Sequence, residues 1–143
     1  LVETQRIVAE GAGAAGLAAV MSHPGAFKGC RVGIVVGGGN IDSRLLSQIL
    51  MRTLVFDGRM ATLRIEIVDQ PGVMSTLTKV IGQAGGNIID ITHHRLFVDL
   101  PVKRAEVDVL VETRNAKHVD EIIEMLDRTG FSTRRLSSHS GEG

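Results

Sequence analysis

Hydrophobic and polar positions alternate through the second half of the chain in the pattern of a small α+β domain. Leu63, Ile65 and Ile67 alternate with Arg64 and Glu66, which predicts a strand with one solvated face. Similar alternation predicts three more strands, and apolar spacings of three and four residues predict two helices. The strands lie at 87–96, 107–111 and 131–136, and the helices lie at 73–84 and 119–126.

Glycine and proline separate these elements and set their order. Asp69-Gln70-Pro71-Gly72 is a turn that leads into a helix, Gly85-Gly86 ends that helix, and Thr129-Gly130 ends the second one. Residues 97–103 read as a loop. The resulting order, βαββαβ, predicts a ferredoxin-like fold with two helices on one face of an antiparallel sheet. We assign this domain to residues 61–137 and a frayed tail to residues 138–143.

The first half has a different pattern, rich in glycine and small residues. It predicts a short strand end at 6–9, a helix at 13–21, a buried strand at 30–36 and a second helix that Asp42 caps. These elements are typical of an α/β layer but are too few to enclose a core. Residues 1–56 are therefore interpreted as an incomplete α/β fragment, and residues 57–60 as a linker.

Composition narrows the classes of function. Lys+Arg and Asp+Glu both number 16 and aromatic residues make up 3%, so neither a basic stripe nor a stacking platform for nucleic acid is expected. Cys30 is the single cysteine, which fits a reducing compartment. The longest apolar stretch is too short to span a membrane, so we expect a cytoplasmic location and no membrane partner. The chain opens at Leu1 without a methionine, and we expect it to be part of a longer protein.

Motifs in both halves of the chain resemble those of known protein families. The turn at 69–72, followed by Gly85-Gly86-Asn87-Ile88 within the βαββαβ frame, is similar to an ACT domain, a small-molecule-sensing regulatory module. Residues 9–19 and 37–42 resemble the last stretch of the catalytic domain of threonine dehydratases. The matching segments there are Ala9-Glu10-Gly11-Ala12-Gly13-Ala14-Ala15-Gly16-Leu17-Ala18-Ala19 and Gly37-Gly38-Gly39-Asn40-Ile41-Asp42. His93-x-Arg95, Glu112-Thr113-Arg114 and His118 match the form of that enzyme with one C-terminal ACT domain.

The resemblance implies a pyridoxal 5'-phosphate (PLP) enzyme of fold type II, a threonine ammonia-lyase that converts L-threonine to 2-oxobutanoate and ammonia. The cofactor-contacting residues that it implies here are Glu10, Gly37, Gly38, Gly39 and Asn40. The Schiff-base lysine of the family lies upstream of this segment, so this chain alone is expected to bind no cofactor and to have no catalytic residue. Gly37 also departs from the family, which usually has Ser or Cys there as the partner of the pyridine nitrogen.

The candidate effector site lies at the first turn of the ACT-like region. The N-terminus of a helix offers free N–H groups that can hold a carboxylate, and Asn87 can bind an amino group or the backbone of a neighbour. Pro71 and Gly72 also shape this turn in the absence of any ligand. The expected effector residues are Asp69, Gln70, Pro71, Gly72, Val73, Asn87 and Ile88. The expected ligand is an amino acid such as isoleucine or valine, bound where ACT domains meet in a homodimer or higher oligomer.

Two other functions stay open. One is a stand-alone amino-acid-binding ACT dimer without catalysis. The other is a fragment of a nucleotide-binding oxidoreductase, because Gly11 to Gly16 fits G-x-G-x-x-G, although no acidic residue follows before Asp42. His93 and His94 point to opposite faces of a strand and cannot bind one metal together, so no metal site is expected. His118 opens a helix and is expected to face solvent.

Overall fold

The computed structural model describes residues 1–95 and 104–136. The chain forms two compact units, divided between Leu50 and Met51. The expected domain limits at 1–56, 57–60, 61–137 and 138–143 stay predictions. The expected loop at 97–103 and the expected tail lie outside the described residues. In chain order the elements are α1 (Val2–Gln5), α2 (Gly11–Ser22), a 3-10 helix (Pro24–Phe27), α3 (Ser43–Phe56), β1 (Met60–Val68), α4 (Val73–Gln83), β2 (Asn87–Arg95), β3 (Arg104–Glu112), α5 (Ala116–Arg128) and β4 (Ser132–Leu136).

The second unit is built on a four-stranded antiparallel sheet in the order β2-β3-β1-β4. Leu63 lies opposite Val109, and the register runs without interruption from Met60↔Glu112 to Val68↔Arg104. β1 and β2 run in the same direction with β3 between them, which is the split βαβ arrangement. The predicted ferredoxin-like fold is confirmed.

One face of this sheet and the two helices enclose the core. Alternate residues of β1 and β3 are buried, as the period-2 pattern predicts. Leu77 in α4 and Ile122 in α5 are fully buried against them. The buried apolar cluster consists of Ala61, Leu63, Ile65, Ile67, Leu77, Val80, Ile81, Ala105, Val107, Val109, Val111, Val119, Ile122 and Leu126.

Residues 1–50 contain helices but no strand. α2 begins two residues before its predicted start and ends one residue after its predicted end. Asp42 caps α3 as expected, since its Oδ1 accepts from the N–H groups of Arg44 at 2.8 Å and Leu45 at 3.0 Å. The strands predicted at 6–9 and 30–36 are wrong, because both segments are irregular. A strand needs a hydrogen-bonded neighbour, and residues 1–50 offer none.

The expected turn at Asp57-Gly58 is present and ends α3. Gly58 has a φ of 66°, and its N–H donates to Val55 O at 3.1 Å. The N–H of Arg59 donates to Leu54 O at 2.8 Å. Together these bonds form a Schellman cap, in which glycine occupies the left-handed position.

Candidate ligand-binding site

The loop between β1 and α4 is a tight turn whose sequence explains its shape. The N–H of Val73 donates to Gln70 O at 3.3 Å, which places Pro71 and Gly72 at the two central positions. Gly72 has φ 89° and ψ −18°, the conformation that a type II turn requires at its third residue. Gly72 is also the residue that precedes α4, so the turn delivers the N-terminus of a helix. The first N–H groups of a helix have no acceptor within it, and they favour an anion.

An open cavity of about 360 Å³ lies at this turn. Asp69, Gln70, Pro71 and Gly72 line it from the loop, Met74 lines it from α4, and His93 lines it from β2. Four of the seven expected effector residues are therefore in one cavity. The cavity thus lies beside a helix N-terminus and is lined by an acidic and an apolar residue, Asp69 and Met74.

The structure places Asn87 and Ile88 elsewhere. Asn87 begins β2 and pairs with Glu112, to which its Nδ2 donates at 3.0 Å. His93, which lines the cavity, lies six residues further along the strand. A strand rises about 3.3 Å per residue, so the two positions are roughly 20 Å apart within one chain. Asn87 and Ile88 are therefore not part of the cavity of their own chain. A single chain does not bring all seven expected effector residues together.

β2 is an edge strand of the sheet, and among the described residues no strand pairs with its outer side. Its pairing with β3 slips between Ile88 and Asp90, which leaves Ile89 as a bulge with 49% of its surface exposed. The strand carries Asp90 near its middle and His93, His94 and Arg95 toward its end.

The residues expected to contact a cofactor lie in the first unit. Glu10 and Gly38 are close together, since the Glu10 N–H donates to Gly38 O at 3.1 Å and a Cβ at Gly38 would meet the Glu10 carboxyl. A Cβ at Gly13 would overlap the carbonyl of Gly37, so Gly13 permits the glycine loop to reach α2. Gly39 lies beside the backbone at Val8.

These residues do not make a complete PLP site. Gly37 offers no side chain to a pyridine nitrogen, and Lys28 is the single lysine of residues 1–50. Lys28 is exposed and follows the 3-10 helix, outside the glycine cluster.

Two structural features of this domain were not identified from the sequence. The first is a charged network on the helix-free face of the sheet. Arg64 donates from Nε and Nη2 to both carboxylate oxygens of Asp108 at 2.7 Å, which holds the pKa of Asp108 below its usual range. His94 Nε2 lies 3.0 Å from the same carboxylate, and Glu106 lies between Arg64 and Arg134. Opposite charges at matched positions on neighbouring strands were the available signal.

The second feature corrects the expectation for His118. Its surface is 1% exposed, and both ring nitrogens have partners: Nε2 lies 2.8 Å from Ala84 O and Nδ1 lies 3.1 Å from Arg114 N. The expectation that it faces solvent is wrong. Its place one turn before Ile122 on the apolar stripe of α5 was the signal that it points inward.

Among the described residues, no group of three or more His, Cys, Asp or Glu side chains could hold a metal ion. Within the same part of the chain, no helix combines the length and the apolar character needed to cross a membrane.

Comparison with known proteins identifies relatives of this chain. Residues 61–129 match the family model of the ACT domain. The chain is 36% identical over 134 residues to the L-threonine ammonia-lyase of Thermotoga maritima, covering 94% of this chain and 33% of that protein. It is 37% identical over 131 residues to the L-threonine ammonia-lyase of Geobacter sulfurreducens, covering 92% of this chain and 33% of that protein. The chain thus spans about a third of the length of these relatives.

Among solved structures, the chain is similar to the ACT domain from GTP pyrophosphokinase of Chlorobium tepidum. The sequence identity is 20% and the TM-score is 0.43, with 54% of this chain and 96% of that chain covered.

Proposed function

Residues 61–129 form an ACT domain in a chain homologous to the C-terminal part of threonine ammonia-lyases, and from this premise we propose that the chain is an amino-acid-sensing regulatory segment. It binds a free amino acid between two copies of the domain. The observation that supports this most directly is the cavity at Asp69–Gly72, which Asp69 lines next to the start of α4.

The two ends of the ligand find complementary partners in this cavity. The α-carboxylate binds the N–H groups of the first turn of α4, and the ammonium binds the carboxylate of Asp69. The side chain of the ligand lies against Met74 and Pro71, which favours an aliphatic amino acid such as isoleucine or valine.

The second copy supplies Asn87. When two β2 strands pair antiparallel across a two-fold axis, the start of one strand lies beside the end of the other. Asn87 of one copy then lies next to His93 and the Asp69 loop of its neighbour. The pairing also covers the exposed Ile89. The distance that separates the two halves of the site within one chain is thereby removed.

The longer protein that contains this segment is a PLP-dependent threonine ammonia-lyase of the cytoplasm. When bound there, PLP supplies the electron sink for loss of ammonia from L-threonine. Glu10 and residues 37–40 contribute to the edge of its site, and other parts of the protein supply the Schiff-base lysine. The ACT domain then shifts the catalytic domain between states according to the amino acid it binds.

Complementation between two variants tests the shared site. The full chain is titrated with each of the twenty amino acids by calorimetry, and then Asp69→Ala and Asn87→Ala are made separately. Each variant alone is expected to lose binding. Mixed dimers carry one site with both substitutions and one intact site, so an equimolar mixture recovers about a quarter of the wild-type sites.

The controls make the result decisive. Asp120→Ala, an exposed substitution on α5, is expected to leave binding unchanged. Absence of recovery in the mixture of verified dimers would show that one chain supplies the whole site. Absence of heat with every amino acid would refute the sensor function.

A further inference from the structure

A buried histidine, His118, contacts the turn between α4 and β2 that precedes Asn87. Because the N–H of Arg114 donates to Nδ1 of His118, that nitrogen is the acceptor, and Nε2 carries the proton that it donates to Ala84 O. The ring thus joins the C-terminal end of α4 to the start of α5. It satisfies a carbonyl at a helix end, where intrahelical partners are lacking.

The two residues between Ala84 and Asn87 leave this turn little freedom. Gly85 has a φ of 84°, and its N–H donates to Gly82 O at 3.0 Å. A Cβ at Gly86 would lie 3.0 Å from both Ile122 and Ile81. The position of Asn87 therefore depends on the packing of α4 against α5.

From Asn87 the contacts continue to the connection between α3 and β1. Asn87 donates to Glu112, and the next residue, Thr113, is buried. Oγ1 of Thr113 donates to Gly58 O at 2.5 Å, and its N–H donates to Arg59 O at 2.9 Å.

Gly58 also lies close to the start of α5. A Cβ on Gly58 would lie 2.5 Å from Ala116 N, so the connection is packed against α5 without spare room. Asn87 and the connection at 57–59 therefore lie at the same end of the sheet, where Glu112 contacts the first and Thr113 contacts the second.

We propose that His118 and Thr113 are positioning residues that couple the amino-acid site to the α3–β1 connection. This inference rests on the proposed function, because it requires a ligand that contacts Asn87. His118 fixes the turn that carries Asn87, and the Asn87–Glu112 bond joins that turn to the end of β3. Thr113 passes a change in the end of β3 to Gly58 and Arg59, which end α3. By linkage, the connection and the ligand then influence each other by the same factor.

Hydrogen exchange at the connection tests this coupling. The full chain is compared with and without L-isoleucine, or with the amino acid that gives the largest heat in calorimetry. In wild type, the ligand is expected to slow exchange at the amides of Gly58 and Arg59 by about fivefold or more, the lower end of usual allosteric coupling. Thr113→Val, which keeps the volume and removes the hydroxyl, is expected to abolish that ligand-dependent change. Thr113→Ser is expected to restore it.

A second pair of variants tests His118 by affinity. His118→Leu is expected to raise the Kd for the same amino acid about tenfold, while His118→Gln, which keeps a donor for Ala84 O, raises it less. Should His118→Leu not fold, the Thr113 pair decides the question. Ligand binding with unchanged exchange at Gly58 and Arg59 in wild type, or with equal protection in Thr113→Val, would overturn the coupling alone. Absence of binding in wild type would instead overturn the proposed function, and this inference with it.

Discussion

The two units of the chain differ in the source of their cores. The ACT region buries its apolar residues against one another, and Leu63, Leu77 and Ile122 are fully buried. Within residues 1–50, Gly13 is the one buried residue. Apolar side chains there are exposed instead, with Val35 at 92% and Met21 at 73%. Hydrophobic patterning occurs in both regions, but only one of them closes a core with its own residues.

The difference shows what a periodic pattern can and cannot specify. The segment 30–36 has the composition of a buried strand, yet it is irregular because no neighbouring strand lies within its unit. β1 has an equally apolar face and forms a strand because β3 and β4 pair with its two edges. Pattern selects the element that a segment can form, and a partner decides whether it forms.

Truncation of one leucine in each unit to alanine is the strongest test of this comparison. Leu77→Ala removes a fully buried side chain and is expected to destabilise the ACT domain by about 2–5 kcal/mol. Leu45→Ala, at a side chain that is 50% exposed, is expected to change the free energy of unfolding by less than about 0.5 kcal/mol. Urea unfolding followed by circular dichroism measures both. Equal losses would mean that residues 1–50 contribute to the same core, and the comparison would fail.

Glycine substitutions give a smaller effect that sharpens the comparison. Gly58→Ala combines a positive φ with overlap at Ala116 and is expected to cost about 3 kcal/mol. Gly130→Ala has a similar φ of 94° but open space around the added methyl group, so about 1 kcal/mol is expected.

The same measurement extends to the first unit. A methyl group at Gly13 would overlap the Gly37 carbonyl, yet Gly13→Ala is expected to leave the unfolding transition of the ACT domain unchanged. The urea midpoints of the three variants, measured side by side, separate these cases. A loss of ACT stability in Gly13→Ala would show that the two units unfold together.

The sequence predicted the ACT fold well because its signals were local and consistent. Alternation at residues 63–67, the turn at Pro71-Gly72 and the helix stop at Gly85-Gly86 each agree with the topology. The cavity at Asp69–Gly72 followed from the same turn. Its separation from Asn87 did not, because strand direction places the two ends of β2 apart and no single motif encodes that distance.

Side-chain partners across the sequence were harder to predict. His118 contacts a carbonyl 34 residues earlier, and Thr113 contacts one 55 residues earlier. Such pairs arise from packing between α4, α5 and the α3–β1 connection, and a polar residue on an apolar stripe does not reveal its partner. The irregular segment at 30–36 was missed for the related reason that a strand depends on residues outside it.

The smallest predicted effect concerns the charged side chains on the helix-free face of the ACT sheet. It tests whether these side chains, like the buried core, contribute to the stability of the domain. The bonds from Arg64, and then from His94, hold the pKa of Asp108 below its usual range. A lowered pKa in the folded state contributes stability above the unfolded pKa of about 3.9, and this contribution is lost as pH falls through the folded value. Asp108→Asn is therefore expected to lower the urea midpoint between about pH 7 and pH 5. The difference from wild type should shrink below about pH 4 and then vanish.

Glu124→Gln, which breaks only an exposed pair with Arg128, should show little difference at any of these pH values. Because His94 bonds the same carboxylate, repeating the series in a His94→Gln background isolates the contribution of Arg64. If the difference in urea midpoint between wild type and Asp108→Asn instead grew in acid, the neutral carboxyl would be the form that this sheet face stabilises. The ion pair would then not contribute to the stability of the domain.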